Sequence, residues 1–333
     1  MKKFSMIITI LVLSSILIMF TSCEDPVDPN PIDENKPVVT NISATVDKLP
    51  AGESLEVEVI AEAGDSYSWS AEAGSFADPS AAKTIWSSAG IDASGAIQLV
   101  CKVTNGSGSR NASVSVSVVV LTTPTAHWPL DSDKTDAIGS ADAVGDMVAI
   151  VTDGAKVGAG CASLPGEEGG VLQVPSDGLP TDGSTDYTIM MWIKTEVVGF
   201  SVFSRTAEGG IWDWEDGNKG WGFWEDYGYP TNAFTSIEPW APFFEDADDV
   251  WDGEWHHYAA VFFSADDSYA FYVDGEVTMS GQDGYENPTS GDFELLFTMG
   301  GNTWQGFLNG LLDDAKYYNQ TLSEAEIGLI ASQ

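Results

Sequence analysis

The chain has 333 residues, 51 Asp and Glu against 13 Lys and Arg, a formal net charge of -38 and 43% apolar residues. That apolar share supports a buried core and the length supports two or three domains, which excludes a disordered acidic polymer; the charge repels phosphate backbones and anionic lipid, which excludes a nucleic-acid reader. Cys23, Cys101 and Cys161 are too few and too scattered for a disulfide scaffold or a four-ligand zinc site, and the only histidines are His127, His256 and His257.

Residues 1–22 open with Met1-Lys2-Lys3, run through apolar residues from Ile7 to Phe20 and end in Thr21-Ser22. This pattern predicts a secretion signal: the apolar run is shorter than a membrane span needs, and no basic stop-transfer cluster follows. Phe20-Thr21-Ser22-Cys23 resembles the lipobox of bacterial lipoproteins, which implies that Cys23 is lipidated as the first residue of the mature chain; an ordinary signal peptide is the alternative. Residues 23–36 hold three prolines and five acids. Such a segment builds no core and is read as an extended, acidic, Pro-rich tether. An acidic run after a lipidated cysteine resembles the signal that exports lipoproteins to the surface of the outer membrane of Gram-negative bacteria, and a generic linker reads almost as well.

Residues 37–122 predict an all-β sandwich. Ser54 to Ile60 alternates acidic with aliphatic residues, Ala112 to Val118 alternates small polar residues with valine, and Ala51-Gly52, Gly64-Asp65 and Asn105-Gly106 are turn signals. The succession Tyr67-Ser68-Trp69, Gly74-Ser75-Phe76, Trp86 and Gln98 to Val103 resembles PKD-like and immunoglobulin-like bacterial domains. Trp69 and Trp86 are expected in the core, and Cys101 as a buried free thiol.

Residues 125–333 hold 31 of the 37 aromatic residues. Strands are expected over Tyr187 to Lys194, Glu254 to Phe263 and Ser268 to Val273, with a hairpin at Asp274-Gly275 and one helix announced by the capping box of Ser323 and Glu326. Trp128-Pro129-Leu130-Asp131, Trp192, Gly253 to Ala259, Tyr272 to Gly275, Gly310 to Asn319 and Leu322 to Ile327 follow one another in an order that resembles the laminin-G-like jelly roll of the concanavalin A-like lectin and glucanase superfamily. The resemblance implies a second all-β sandwich and leaves function open, because that fold hosts lectins, adhesive modules and hydrolases.

Adjacent His256 and His257 on one strand project to opposite faces, so they cannot share a metal, and a Ser-His-Asp or Cys-His relay has little to be built from. The superfamily's hydrolases place carboxylates in a Glu-x-Asp-x-x-Glu strand; the sequence has no such run, and Asp213-Trp214-Glu215-Asp216 beside a glycine reads as a loop. Residues 211–255 are the most unusual stretch, with seven Trp, four Phe, two Tyr, 12 acids and one Lys. Trp221 and Phe223 alternate as strand residues do. Trp212, Trp214, Tyr227, Tyr229, Trp240 and Trp251 fall beside Gly, Pro and acids, as does Trp304 in a separate loop. Indoles stack on the apolar faces of sugar rings and carboxylates accept from hydroxyls, so these residues are read as a neutral-glycan face, with an internal aromatic mini-core as the alternative. The resemblance also implies one structural calcium, held by Asp131 with Asp313 or Asp314; solvated turn acids read equally well.

The sequence thus predicts a surface-exposed outer-membrane lipoprotein: a PKD-like or immunoglobulin-like sandwich followed by a jelly roll that binds neutral polysaccharide and breaks no bond. Its membrane contact is the lipid alone, and surface transport or glycan-degrading proteins are its expected partners. An adhesive protein with a protein partner and a glycoside hydrolase are the alternatives.

Overall fold

The computed structural model describes residues 35–174, 179, 185–197, 201–206, 220–226, 229–235, 251–266, 268–282, 296–302 and 306–333, with the backbone alone at 201, 204–206, 220–226, 229–235, 279, 282, 296, 297 and 302. Among the described residues the protein is all-β apart from one short helix. Among the described residues no helix is long and apolar enough to cross a membrane.

The first unit contains β1 (Val38–Ala44), β2 (Lys48–Pro50), β3 (Ser54–Glu62), β4 (Ser66–Ser70), β5 (Ser75–Phe76), β6 (Lys83–Ser87), β7 (Gly95–Asn105) and β8 (Gly108–Val119). They form two four-stranded sheets, ordered β1-β3-β6-β5 and β2-β8-β7-β4. The predicted alternation explains the layering: Leu55, Val57 and Val59 of β3 are buried while the residues between them are not, because successive strand side chains leave opposite faces. Trp69 and Trp86 both lie in this core, and each indole N–H donates to a backbone carbonyl, of Ala81 at 2.9 Å and of Ala73 at 3.3 Å. Cys101 is buried and free, as expected, and burial raises its thiol pKa.

The second unit contains β9 (Ala126–Trp128), β10 (Ala149–Val151), β11 (Cys161–Pro165), β12 (Leu172–Val174), β13 (Tyr187–Thr195), β14 (Ser201–Thr206), β15 (Gly220–Asp226), β16 (Tyr229–Thr235), β17 (Trp255–Phe263), β18 (Ser268–Val273), β19 (Glu276–Gln282), β20 (Leu296–Met299), β21 (Gly301–Asn302), β22 (Gly306–Phe307), β23 (Asn309–Tyr318) and α1 (Glu324–Ala331). An eight-stranded sheet runs β10-β11-β23-β13-β17-β18-β19, with β9 also paired to β23, and a five-stranded sheet runs β12-β20-β14-β15-β16. Trp128, Ile189, Met191, Phe203, Phe271, Met299 and Tyr317 contribute to one core, which begins at Ala126. The other face of the eight-stranded sheet is apolar too: Met190, Ala259, Val261, Tyr272 and Tyr318 meet Ile327 and Ile330 of α1. Covered on both faces, β13 is almost continuously buried, which is why its sequence reads as an apolar run and not as an alternation.

The predicted hairpin and capping box are both present. Asp274 and Gly275 have φ of 50° and 82°, the paired positive values that a two-residue turn between twisted strands requires. The Ser323 side chain accepts from the N–H of Glu326, whose carboxylate accepts from the N–H of Ser323. Turn and helix touch: a Cβ on Gly275 would stand 2.7 Å from the Cα of Gly328. Gly275→Ala is therefore expected to lower stability by about 1–3 kcal/mol, because backbone strain adds to a backbone clash that no rotamer relieves. A urea melt that matches the wild type within a few tenths of a kcal/mol would refute this packing.

Candidate functional site

Two regions carry chemistry. The first is the aromatic and acidic stretch. Its described backbone is the hairpin of β15 and β16, in register from Gly220 opposite Thr235 to Asp226 opposite Tyr229, and it closes one edge of the five-stranded sheet. Phe223 lies opposite Phe203, a residue of the core. Trp221 and Phe223 thus fall on a strand, as predicted. Two of the expected glycan-face residues fall among the described ones. Tyr229 is the first residue of β16. Trp251 is not a free loop ring: it is partly buried and packed on the domain core, which uses its apolar surface. Trp212, Trp214, Tyr227, Trp240 and Trp304 lie outside the described residues.

At the end of this stretch, His256 Nδ1 meets Asp274 Oδ2 at 2.7 Å and His256 Nε2 meets Asp252 Oδ1 at 3.3 Å. The Asp274 hydrogen bond, opposed by burial, raises the pKa of the imidazole. Asp274 Oδ1 accepts from the N–H of His257 at 2.8 Å, so this carboxylate ties the hairpin turn to β17. With both ring nitrogens against carboxylates, His256 offers no lone pair to a metal or a substrate. His257 points elsewhere, as the strand geometry demands: it is 1% exposed and its ring meets the Trp192 edge with centroids 5.0 Å apart.

The second region is a buried charged cluster on β23. Strand β11 pairs with β23 up to Leu312 and β9 pairs with it from Ala315, so Asp313 and Asp314 occupy the gap between two neighbours. On the other side of β23 the register against β13 shifts between Met190 and Trp192. Asp314 takes a φ of 49°, a left-handed conformation that aspartate tolerates better than most residues. This bulge turns two successive acids into different surroundings.

Asp314 Oδ1 meets His127 Nε2 at 2.6 Å, and its Oδ2 accepts from the Lys316 ammonium. Burial alone would raise this carboxyl, but the bonds to His127 and Lys316 hold it below the usual value. Asp313 is fully buried. Its Oδ2 accepts from the N–H groups of Lys156 at 2.8 Å and Val157 at 3.0 Å, while among the described residues no donor reaches its Oδ1. Burial pushes its pKa up to about 6. Lys156 lies over the Trp192 ring, 4.2 Å from the centroid, and donates to the Gln333 carbonyl at 3.2 Å. The Cys161 thiol is fully buried and free; burial, with Asp313 and Asp153 nearby, raises its pKa to about 11 and keeps it unionised.

The carboxylates expected to hold calcium, Asp131 with Asp313 or Asp314, all take protein donors. Asp131 Oδ1 accepts from the N–H groups of Ala159 and Gly160, so Asp131 and Asp313 hold adjacent parts of one loop, and Asp314 is matched to the His127 ring and the Lys316 ammonium. Among the described residues no three His, Cys, Asp or Glu side chains converge on a metal position. The cluster closes a loop over the sheet.

A family model described as the concanavalin A-like lectin/glucanases superfamily, Laminin_G_3, matches residues 166–328, and this stretch is a concanavalin A-like jelly-roll domain. The jelly-roll core extends upstream of that match, because Trp128 and Leu130 are part of it. Among solved structures, the chain is similar to domain 4 of AbnA, a GH43 extracellular arabinanase from Geobacillus stearothermophilus solved with arabinotriose, at 19% identity and a TM-score of 0.40, covering 63% of this chain and 98% of that one. It is similar to the binding domain of Paraclostridial Mosquitocidal Protein 1 at 16% identity and a TM-score of 0.46, covering 62% and 51% of the two chains. It is also similar to Trypanosoma rangeli sialidase at 11% identity and a TM-score of 0.48, covering 84% and 48%. The chain spans about half the length of the last two. No match to a curated protein was found.

Proposed function

We propose that the protein is a surface lipoprotein, anchored through Cys23 to the outer membrane of a Gram-negative bacterium, that captures a neutral polysaccharide with the jelly-roll domain and breaks no bond. The first sandwich is read as a PKD-like or immunoglobulin-like spacer. One observation supports the glycan reading: the hairpin Gly220–Asp226 and Tyr229–Thr235, from the most aromatic and acidic stretch of the sequence, is the edge of the five-stranded sheet of the second unit. In sequence Trp212 and Trp214 precede it, Tyr227 falls between its strands, Trp240 follows it, and Trp304 comes later in the same domain. Rings at a sheet edge can stack on sugar faces while neighbouring carboxylates accept from hydroxyls, and the acidic background disfavours acidic polysaccharides.

Affinity electrophoresis and calorimetry over a panel of neutral polysaccharides test this directly. One polymer at least is expected to bind, and Trp212→Ala, Trp214→Ala or Trp240→Ala to weaken it about tenfold or more, as loss of an aromatic anchor does. Unchanged affinity in all three would overturn the placement. Release of reducing ends from any polymer would replace capture with hydrolysis, and failure on every glycan together with a purified protein ligand would replace it with adhesion.

A further inference from the structure

The connection between the two sandwiches is six residues long, 120–125, and it is held at nearly every position. The Val120 N–H donates to the Ser94 hydroxyl of the first sandwich at 2.8 Å. Leu121 packs on the apolar cluster that α1 shares with the eight-stranded sheet. The Thr122 N–H and hydroxyl both donate to Glu326 Oε1, at 3.0 and 2.8 Å, and the Gln320 side chain donates to the same hydroxyl at 3.1 Å. The Thr125 N–H donates to the Tyr317 carbonyl at 2.7 Å, and its hydroxyl accepts from the N–H of Asn319 at 3.1 Å. Pro124 fixes its own φ within this run.

Glu326 is the residue that joins two structures. One of its oxygens closes the capping box at the start of α1, and the other receives the linker. The helix completes the contact from its own side, because α1 lies against β2 and β8 of the first sandwich as well as against β19. A connection whose backbone and side chains are committed in this way retains little of the conformational freedom that ordinarily lets domains reorient.

We infer that the C-terminal helix and the linker form a rigid joint, so that the two sandwiches move as one body and the jelly roll is presented at a fixed angle to whatever carries the first sandwich. Sequence order conceals this, since the residues that lock the linker come from the end of the chain, 204 positions after Thr122. The joint does not depend on what the jelly roll binds.

Distance measurements between spin labels on the full mature chain carrying Cys23→Ser test it, with one label at Ser107→Cys in the exposed β7–β8 turn and one at Glu167→Cys on the jelly roll; Cys101 and Cys161 are buried and will not label. A single narrow distribution is expected. Thr122→Val leaves the capping box intact and is expected to broaden the distribution about twofold, as is the insertion of Gly-Ser after Thr123, with an unchanged circular dichroism spectrum in each case. A broad distribution in the parent chain would overturn the joint, and so would a distribution that stays narrow in both variants.

Discussion

Asp314→Ala is expected to destabilise the protein by about 3–5 kcal/mol, the range typical of removing one partner from a buried ion pair. Two effects add. The His127 ring and the Lys316 ammonium lose the carboxylate they share, and both are more than three-quarters buried, at 23% and 15% side-chain exposure. The left-handed φ of 49° at the bulge must then be borne by alanine, which lacks the short polar side chain that makes this conformation tolerable. Asp314→Asn separates the two effects: it keeps the backbone preference but loses the charge and one of the two accepting oxygens, so its cost should be smaller. Urea melts followed by tryptophan fluorescence give the comparison. A loss under about 1 kcal/mol for the alanine variant would mean that the cluster contributes nothing to holding β9 on β23. The sign of the pH dependence follows from the depressed carboxyl: this contribution is present above the ordinary carboxylate pKa and is lost as pH falls through the lower folded value.

The same cluster shows why the sequence was legible in parts. Strand β3, strand β13, the Asp274-Gly275 turn and the Ser323–Glu326 cap are governed by neighbours a few residues away, and each stood where its local pattern predicted. The bulge at Asp313 and Asp314 is different. Its partners are His127, 187 positions earlier, and the backbone of Lys156 and Val157, so an acid doublet in an apolar strand reads equally well as a calcium ligand pair, solvated turn acids or a structural clamp. What could have pointed to a clamp is the company it keeps: Lys316 follows two residues later within a strand whose neighbours Leu312, Ala315, Tyr317 and Tyr318 are all buried. Trp251 is governed in the same long-range way. Proximity to Gly and acids suggests a loop ring, but whether a ring is exposed is decided by the core it can reach. The aromatic stretch was legible as composition and as one strand, since composition survives without tertiary information and the direction of each ring does not.

Asp313→Asn is expected to change the pH profile of stability more than its midpoint at neutral pH. In the wild type two buried groups oppose each other. Asp313 has its pKa raised from 3.8 to about 6 by burial, so the folded state binds its proton more tightly than the unfolded state, and stability from this residue is present at low pH and lost as pH rises through about 6. His257 has its pKa lowered from 6.5 to about 4, by burial first and by the nearby Lys316 second; it stays neutral in the fold, so its contribution is present above 6.5 and lost as pH falls toward 4. Between those limits one gain offsets one loss, each on the order of 2–3 kcal/mol. Asparagine still accepts from Lys156 and Val157 through its carbonyl but does not titrate, which leaves His257 uncompensated. Relative to wild type, the variant should therefore lose on the order of 2–3 kcal/mol between about pH 6.5 and pH 4, while at about pH 7.5 it no longer carries a buried carboxylate with a donorless oxygen and should be about as stable or more so. Parallel urea-melt profiles for the two proteins across that window would show that Asp313 is ionised in the fold at every pH, and that water or another donor reaches its free oxygen.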